Sequence, residues 1–331
     1  KHFIRLVESL KRNTWAKYTD VYVGLDYPPA DKYMDGWKEI CEYLDSDDFN
    51  KYFAKFMVFK HDRNLGSYEN TLDLIHYVWD RYECWIRTDD DAEFAPNFLE
   101  YEDKCLWAYR NDPNVICVSG YSYPIRWKVQ DGATCLKQNF CVSSWGLGFW
   151  RTKKDSYSTY ITSGRLLKEA SKVIKNGYDK RMIDSCFRDY FSAALSFGTQ
   201  IPLMRMCSDV SLRAYLACKS CYCIFPVVSK VRNHGFDGSG EYCAAVEKNG
   251  NHALDYNYSE QEIDTATDFE FIPDDSLLYL DANKASLNDF DYRSPQEMEV
   301  AKHNYALIQK YGMILAKFIH GVESLLNIQK H

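Results

Sequence analysis

No apolar run in this sequence is long enough to cross a bilayer: the longest, such as Cys221–Val228, fall far short of the roughly 20 residues a spanning helix needs. Positive charge is not in excess either, with 40 lysines and arginines against 47 aspartates and glutamates, a net charge of −7. A protein that coats a polyanion needs clustered Lys and Arg to displace the counterions of the phosphate backbone. An integral membrane protein and a nucleic-acid binder are therefore both disfavoured. No internal repeat or low-complexity tract is found, and no signal peptide is visible in the sequence from Lys1 on. A paired zinc signature is missing as well. Among twelve cysteines the only tight cluster is Cys218-Lys-Ser-Cys221 with Cys223, and no second CxxC or HxxxH accompanies it. These cysteines lie in Ala217–Pro226, an apolar stretch that reads as a buried strand, so they are read as small core hydrophobes. Unpaired cysteines fit a reducing compartment, and a cytoplasmic protein, free or peripheral to a membrane, is expected.

What is present is ordinary globular composition, 46% hydrophobic and 26% charged over 331 residues, enough for one large α/β domain with additions or two smaller ones. Lys1–Asn13 reads as a helix with Phe3, Leu6, Val7 and Leu10 on one face. Val21–Leu25 is a short strand ending at Asp26, and Pro28-Pro29 breaks the chain after it. Gly36–Leu44 is helical, Phe56–Phe59 is a strand, and Ser67 is expected to cap a helix through Trp79. Cys84–Ile86 is the next strand and runs into Asp89-Asp90-Asp91. Pro96 suits the first turn of a helix to about Arg110, and Val115–Val118 is again a strand. Strands alternating with helices predict an α/β fold with a mainly parallel sheet, Rossmann-like, whose ligands bind at the carboxyl ends of the strands.

The second half is less regular. Arg165–Lys175 is an amphipathic helix stopped by Asn176-Gly177. A strand over Cys221–Val228 leads into the glycine-rich turn His234–Gly240, and residues 250–290 are polar and irregular. Ser294-Pro-Gln-Glu297 is a capping box opening a final helix toward Leu326. The apolar stripe of that helix (Ala306, Ile308, Ile314, Leu315, Ile319, Leu325) either packs on the core or meets a membrane surface or a second subunit. Packing is the favoured reading, because the chain's charge offers little to anionic lipid.

Three adjacent aspartates at a strand end repel one another unless a cation joins them. An oxygen-seeking divalent ion such as Mn²⁺ or Mg²⁺ is the natural partner, and it keeps positions open for water and substrate phosphates. The alternative is a solvated acidic turn.

The surroundings of the triplet carry a resemblance. Thr88-Asp-Asp-Asp-Ala-Glu-Phe-Ala-Pro-Asn-Phe-Leu-Glu-Tyr101 resembles the metal-binding segment of GT-A glycosyltransferases, most of all N-acetylglucosaminyltransferase I and related family 2 bacterial enzymes. His61-Asp-Arg-Asn-Leu-Gly66 resembles the loop ahead of the acidic strand in that superfamily, and Asp112–Ser119 the strand after the metal helix. Ser143-Ser-Trp-Gly-Leu-Gly-Phe-Trp150 is similar to the segment lining the donor-sugar pocket. Asn233–Cys243 resembles the glycine turn of bacterial sugar transferases. The motifs run in order over about residues 1–245, leaving 246–331 as an expected accessory region.

The resemblance implies a nucleotide-sugar donor, with UDP the commonest nucleotide, and one Mn²⁺ or Mg²⁺. It implies that Asp91 ligates the metal, Asp89 faces the ribose or donor sugar, and Asp90 binds sugar hydroxyls or orients Asp91. Arg63, Asn64 and Gly66, with Trp145, Gly146 and Gly148, would line the donor side. Trp145, Phe149 and Trp150 suit either a sugar pocket or the core. Enzymes of this branch invert the anomeric centre and need a carboxylate base on the acceptor side. Counting back from Phe225-Pro226 puts Asp209 there, without the usual tryptophan, and Asp184 and Asp189 are the alternatives. The acceptor would be a glycan, a lipid-linked saccharide or a glycoprotein.

Two departures stand out. The relatives' turn ends Gly-Thr-His-Cys, whereas this one reads Gly240-Glu-Tyr-Cys243; Tyr242 cannot replace that histidine as a ligand, and Glu241 or His234 stands nearest. Such sheets also begin with a central strand ahead of the helix that Lys1–Asn13 resembles, and residues upstream of Lys1 are expected to supply it. A sugar nucleotidyltransferase and a catalytically inactive carbohydrate-binding scaffold are the rival readings.

Overall fold

The computed structural model describes residues 1–139, 141–175, 190, 209–237 and 258–276, with scattered residues between 303 and 322. Helix α1 (His2–Lys11) buries Phe3, Leu6, Val7 and Leu10, the face its spacing predicts. Strand β1 (Asp20–Leu25) pairs in parallel with β2 (Lys55–Lys60), from Asp20↔Lys55 to Leu25↔Lys60, through a crossover that contains α2 (Met34–Asp45). Helix α3 (Gly66–Trp79) leads to β3 (Cys84–Arg87). Then come β4 (Ala92–Phe94), α4 (Phe98–Tyr109), β5 (Val115–Ser119), β6 (Cys135–Gln138), β7 (Leu147–Trp150), α5 (Arg151–Thr162) and α6 (Arg165–Lys175). Helix α7 (Asp209–Lys219), β8 (Tyr222–Pro226), β9 (Val231–Asn233) and β10 (Pro273–Asp274) complete the described elements.

The architecture is α/β, with a multi-strand sheet flanked by helices. The sheet is mixed rather than mainly parallel. Its six strands run β10-β6-β8-β5-β7-β3. Ladders β5·β8 and β10·β6 are parallel, whereas β6·β8, β5·β7 and β3·β7 are antiparallel. Parallel neighbours need a crossover, usually a helix. Among the described residues no helix separates β5, β6 and β7, and β7 enters antiparallel between β3 and β5.

Two local expectations are corrected. Ser67 does not cap α3: the helix begins at Gly66, and its first amides are taken by Asp26, across the loop at the end of β1. Pro96 lies two residues ahead of α4 rather than in it, and the Ala95 carbonyl accepts the Phe98 amide.

The main core joins β5–β8 with α5, α6 and α7 through Phe149, Tyr157, Ile161, Leu166, Leu212 and Phe225. Cys221 and Cys223 are buried in it, and Cys218 packs against it. Leu307 and Ile308 also lie in this cluster and Ile319 packs on it, while Ala306 is exposed; Ile314, Leu315, Leu325 and the 294–297 capping box lie outside the described residues. Within the stretch expected to be accessory, residues 258–276 are woven into the body. Phe269 is buried with Tyr101, Tyr109 and Trp150, and β10 extends the sheet. Among the described residues no helix is long and apolar enough to cross a membrane.

Candidate functional site

The acidic triplet forms the turn between β3 and β4. What fixes it is β9, which pairs antiparallel with β4 (Ala92↔Asn233, Phe94↔Val231) and delivers the glycine turn beside the aspartates. The ladder continues past its last pair, since the His234 amide donates to the Asp91 carbonyl at 2.8 Å. Side chains reinforce it: His234 Nε2 lies 2.7 Å from Glu93 Oε2, and Arg232 donates to the same oxygen at 3.3 Å. The His234 contact, then Arg232, holds the Glu93 carboxyl below its ordinary range. On the far side of the turn, Asp237 Oδ2 meets Lys1 Nζ and His2 Nε2, each at 3.0 Å, at the amino end of α1.

Asp91 is the most perturbed of the three acids. Its Oδ2 packs on the α-carbon of Gly235, where a Cβ would stand 2.1 Å away. Only glycine permits that approach. Burial, then Asp89 and Asp90, pushes the Asp91 carboxyl up to about 6 against the opposing pull of Asn233. The Asn233 carboxamide stands close enough to favour the ionised acid, but its geometry does not close a hydrogen bond. Among the described residues, both Asp91 Oδ1 and Asn233 Nδ2 are buried without a partner. Asp89 is half-buried and takes a 3.2 Å ion pair from Arg87. Burial raises its carboxyl, Arg87 opposes, and Asp90 and Asp209 add to the rise. Asp90 is exposed.

Asp209, the first residue of α7, is exposed, and its charge reaches Asp89. The structure therefore brings Asp209 toward the triplet. Asp184, Asp189, Glu241 and Tyr242 lie outside the described residues.

The loop carrying Arg63, Asn64 and Gly66 is organised by an acid that motif reading passes over. Asp26 Oδ1 accepts from the Leu65 amide at 2.8 Å, and its Oδ2 accepts from the Gly66 amide at 2.8 Å and from Asn64 Nδ2 at 3.1 Å. Gly66 has φ +79°, and Arg63 is exposed beside it. A strand-end aspartate that grips the next loop leaves only a faint signal in sequence: an acid closing an apolar strand.

Trp145 is half-buried and joins an aromatic cluster that includes the glycine turn. Its ring meets Tyr121 at 4.6 Å and both Phe236 and Tyr258 at 5.8 Å. Phe236 and Tyr258 stack at 4.4 Å. Phe149 and Trp150, by contrast, are buried in the core. The space over Gly146 is filled by Phe98, 2.8 Å from where a Cβ would stand, and that over Gly148 by Glu102 Oε2 at 2.4 Å.

A divalent cation fits the donor set in one respect, since a buried carboxylate oxygen on Asp91 has no hydrogen-bond partner among the described residues and like charges lie next to it. Among the described residues no three His, Cys, Asp or Glu side chains converge as a metal cage. No protein-family model matches the chain, and no curated protein matches it.

Proposed function

We propose that the protein is a metal-dependent, inverting glycosyltransferase of the GT-A type, moving a sugar from a nucleotide-sugar donor, a UDP-sugar first, to a glycan, lipid-linked saccharide or glycoprotein. The observation that carries this reading is the Asp91 carboxylate, held beyond the carboxyl end of β3 against Gly235 with one buried oxygen unpaired among the described residues. Support also comes from the order of elements around it, in which an acidic turn, a glycine turn and a half-buried tryptophan meet at one edge of an α/β sheet.

Bound Mn²⁺ or Mg²⁺ would supply a Lewis acid for the charge that develops on the departing diphosphate. Electrostatic stabilisation of that kind is commonly worth about 3–4 kcal/mol per key contact. Asp91 is the residue that would hold the ion. Asp89, oriented by Arg87, would face the ribose or donor sugar, and exposed Asp90 the sugar hydroxyls. The Asp209 carboxylate takes the proton of the acceptor hydroxyl as its oxygen attacks the anomeric carbon from the side opposite the nucleotide.

Calorimetric titration of Mn²⁺ alone, then of UDP and GDP with and without Mn²⁺, tests the reading. Metal-dependent binding of one nucleotide, lost in Asp91→Ala, is expected. Absence of both metal and nucleotide binding would sink it and leave a non-catalytic carbohydrate-binding or scaffold role.

A further inference from the structure

Three half-buried aromatic rings stand beside the acidic turn, and they come from three separate parts of the chain. Trp145 precedes Gly146. Phe236 follows the Gly235 on whose α-carbon Asp91 Oδ2 packs, and Tyr258 opens a short 3₁₀ turn, Tyr258–Glu260. Phe236 and Tyr258 lie face to face at 4.4 Å, with 22° between their planes. Trp145 stands nearly perpendicular to both, at 81° to Phe236 and 78° to Tyr258. Tyr121 is fully buried and meets Trp145 edge-on at 4.6 Å.

Tyr258 is held there by the segment that follows it. Arg232 of β9 donates from Nε to the Gln261 carbonyl at 2.6 Å and from Nη1 to Glu93 of β4 at 3.3 Å. One guanidinium thus ties the strand after the acidic turn to the Tyr258 segment. Gln261 Nε2 donates to the Ser122 carbonyl at 2.7 Å, one residue past Tyr121. Further on, the Asp264 amide donates to the Ser229 carbonyl at 2.9 Å, and its carboxylate takes Asn97 Nδ2 at 3.0 Å and the ammonium of Lys230. These anchors lie deeper than the ring they hold. Gln261 and Lys230 are both buried, whereas Tyr258, Phe236 and Trp145 all keep exposed surface. Aromatic surface left open on a fixed support, beside polar groups, is the mark of a ligand contact.

We propose that Tyr258, with Phe236 and Trp145, is a stacking platform for the apolar C–H face of a pyranose ring. The ring geometry selects the ligand class. A planar base slots between parallel rings, but here the parallel pair is already closed on itself and the third ring stands across it. A corner between perpendicular rings fits a puckered saturated ring, which offers C–H groups in two directions and hydroxyls on its rim. None of the rings carries a charge, so the contact is apolar. Exposed carboxylates adjoin the rings in sequence, Asp237 next to Phe236 and Glu260 two residues after Tyr258, and carboxylates accept from sugar hydroxyls. Tyr258 also lies past residue 245, so the stretch expected to be accessory supplies a wall of the site. A pyranose reaches this corner either as the donor sugar or as the acceptor sugar. That choice rests on the glycosyltransferase reading, whereas the platform does not.

Binding of defined sugars to the 331-residue chain tests the platform. Calorimetry with Mn²⁺ present uses UDP, UDP-glucose, UDP-galactose and UDP-N-acetylglucosamine. Saturation-transfer NMR then follows the methyl glycosides of the same sugars, whose binding is weaker. The parent should bind at least one sugar-bearing probe. For that probe, Tyr258→Ala and Phe236→Ala should each weaken binding by about tenfold, and Tyr258→Phe, which keeps the ring, by less than about threefold. Affinities for Mn²⁺ and for UDP should match the parent's. A loss seen with the sugar nucleotide and not with the glycosides assigns the platform to the donor sugar, and the reverse assigns it to the acceptor. Glycoside binding that depends on Tyr258 in a chain that binds no UDP would leave the platform standing and remove the glycosyltransferase reading. Parent-like binding of every probe by Tyr258→Ala would overturn the inference. So would a parent that binds no sugar-bearing probe, or a loss for UDP as large as that for the UDP-sugar, which would make the rings a base contact or a structural prop. Where Tyr258→Ala does not fold, Tyr258→Leu, which fills the space without a ring, decides by the same outcomes.

Discussion

The Asp91 carboxylate and the α-carbon of Gly235 share one space, with 2.1 Å between Oδ2 and the position a Cβ would take. The acid is on the β3–β4 turn and the glycine is far along the chain after β9, so this contact welds the two halves of the candidate site. Gly235→Ala must move one of them. Overpacking of this kind costs about 1–3 kcal/mol of stability, and displacement of the acid should weaken Mn²⁺ binding by on the order of tenfold to a hundredfold. Urea melts and metal titration read the two effects separately. An alanine variant with wild-type Mn²⁺ affinity would show that Asp91 is not where the ion sits.

Asp26 is expected to matter for stability rather than for chemistry. It accepts the Leu65 and Gly66 amides at the start of α3 and the Asn64 carboxamide, and Asn64 also donates to the Tyr27 carbonyl at 2.6 Å. Asp26→Ala removes the acceptor from the amino end of a helix, a loss of about 1–2 kcal/mol. Asp26→Asn keeps one acceptor oxygen and should lose about half as much. Chemical denaturation of both variants checks the order; equal losses would mean the charge alone is what counts.

These two acids illustrate what the sequence reveals and what it withholds. Helices α1, α3 and α4 and strands β1, β2, β3 and β5 fall where apolar spacing places them, because each follows from a local period. Their mixed pairing does not, since β7 is inserted antiparallel by connections that periodicity cannot read. The acidic triplet is visible as a charge run, and the glycine turn as a composition. That they touch is invisible, because it depends on β4 pairing with β9, two three-residue strands far apart in the sequence. The same holds for Gly148. A glycine in an aromatic-rich segment reads as a ligand-facing position, but the space above it belongs to a carboxyl group from α4.

That group, Glu102, is fully buried, and among the described residues neither of its carboxylate oxygens has a hydrogen-bond partner. Burial, aided by Cys117, pushes its carboxyl well above the ordinary value of 4.5. The sign follows directly. Below the unfolded-state value both states are protonated and the contribution is fully present. As pH rises past it, the unfolded chain releases a proton that the folded chain retains, so stability falls by about 1.4 kcal/mol per pH unit until the folded-state value is passed. Glu102→Gln keeps the shape without the titration. Its stability should fall less than that of the parent between about pH 5 and pH 8, so the gap between the two narrows or inverts toward alkaline pH. Urea melts across that range measure it, and parallel curves would mean Glu102 is not held neutral.

Asp209 separates catalysis from binding. It begins α7 on the exposed side of the site, its own Oδ1 accepts only the local Val210 amide at 2.9 Å among the described contacts, and its charge is felt at Asp89. If it takes the acceptor proton, Asp209→Asn should lower turnover by about 10²–10⁴-fold. Mn²⁺ affinity and donor binding should stay close to the parent's, since no residue assigned to either is altered. The electrostatics supply an independent readout. Removing the Asp209 charge takes away part of the repulsion that raises Asp89, so the Asp89 carboxyl should titrate at lower pH in carbon-detected NMR. A downward shift with turnover intact would place Asp209 beside the triplet yet outside the chemistry, and the base would then be sought by the same substitution at Asp184 and Asp189. Loss of turnover together with loss of Mn²⁺ binding would instead make Asp209 part of the metal site.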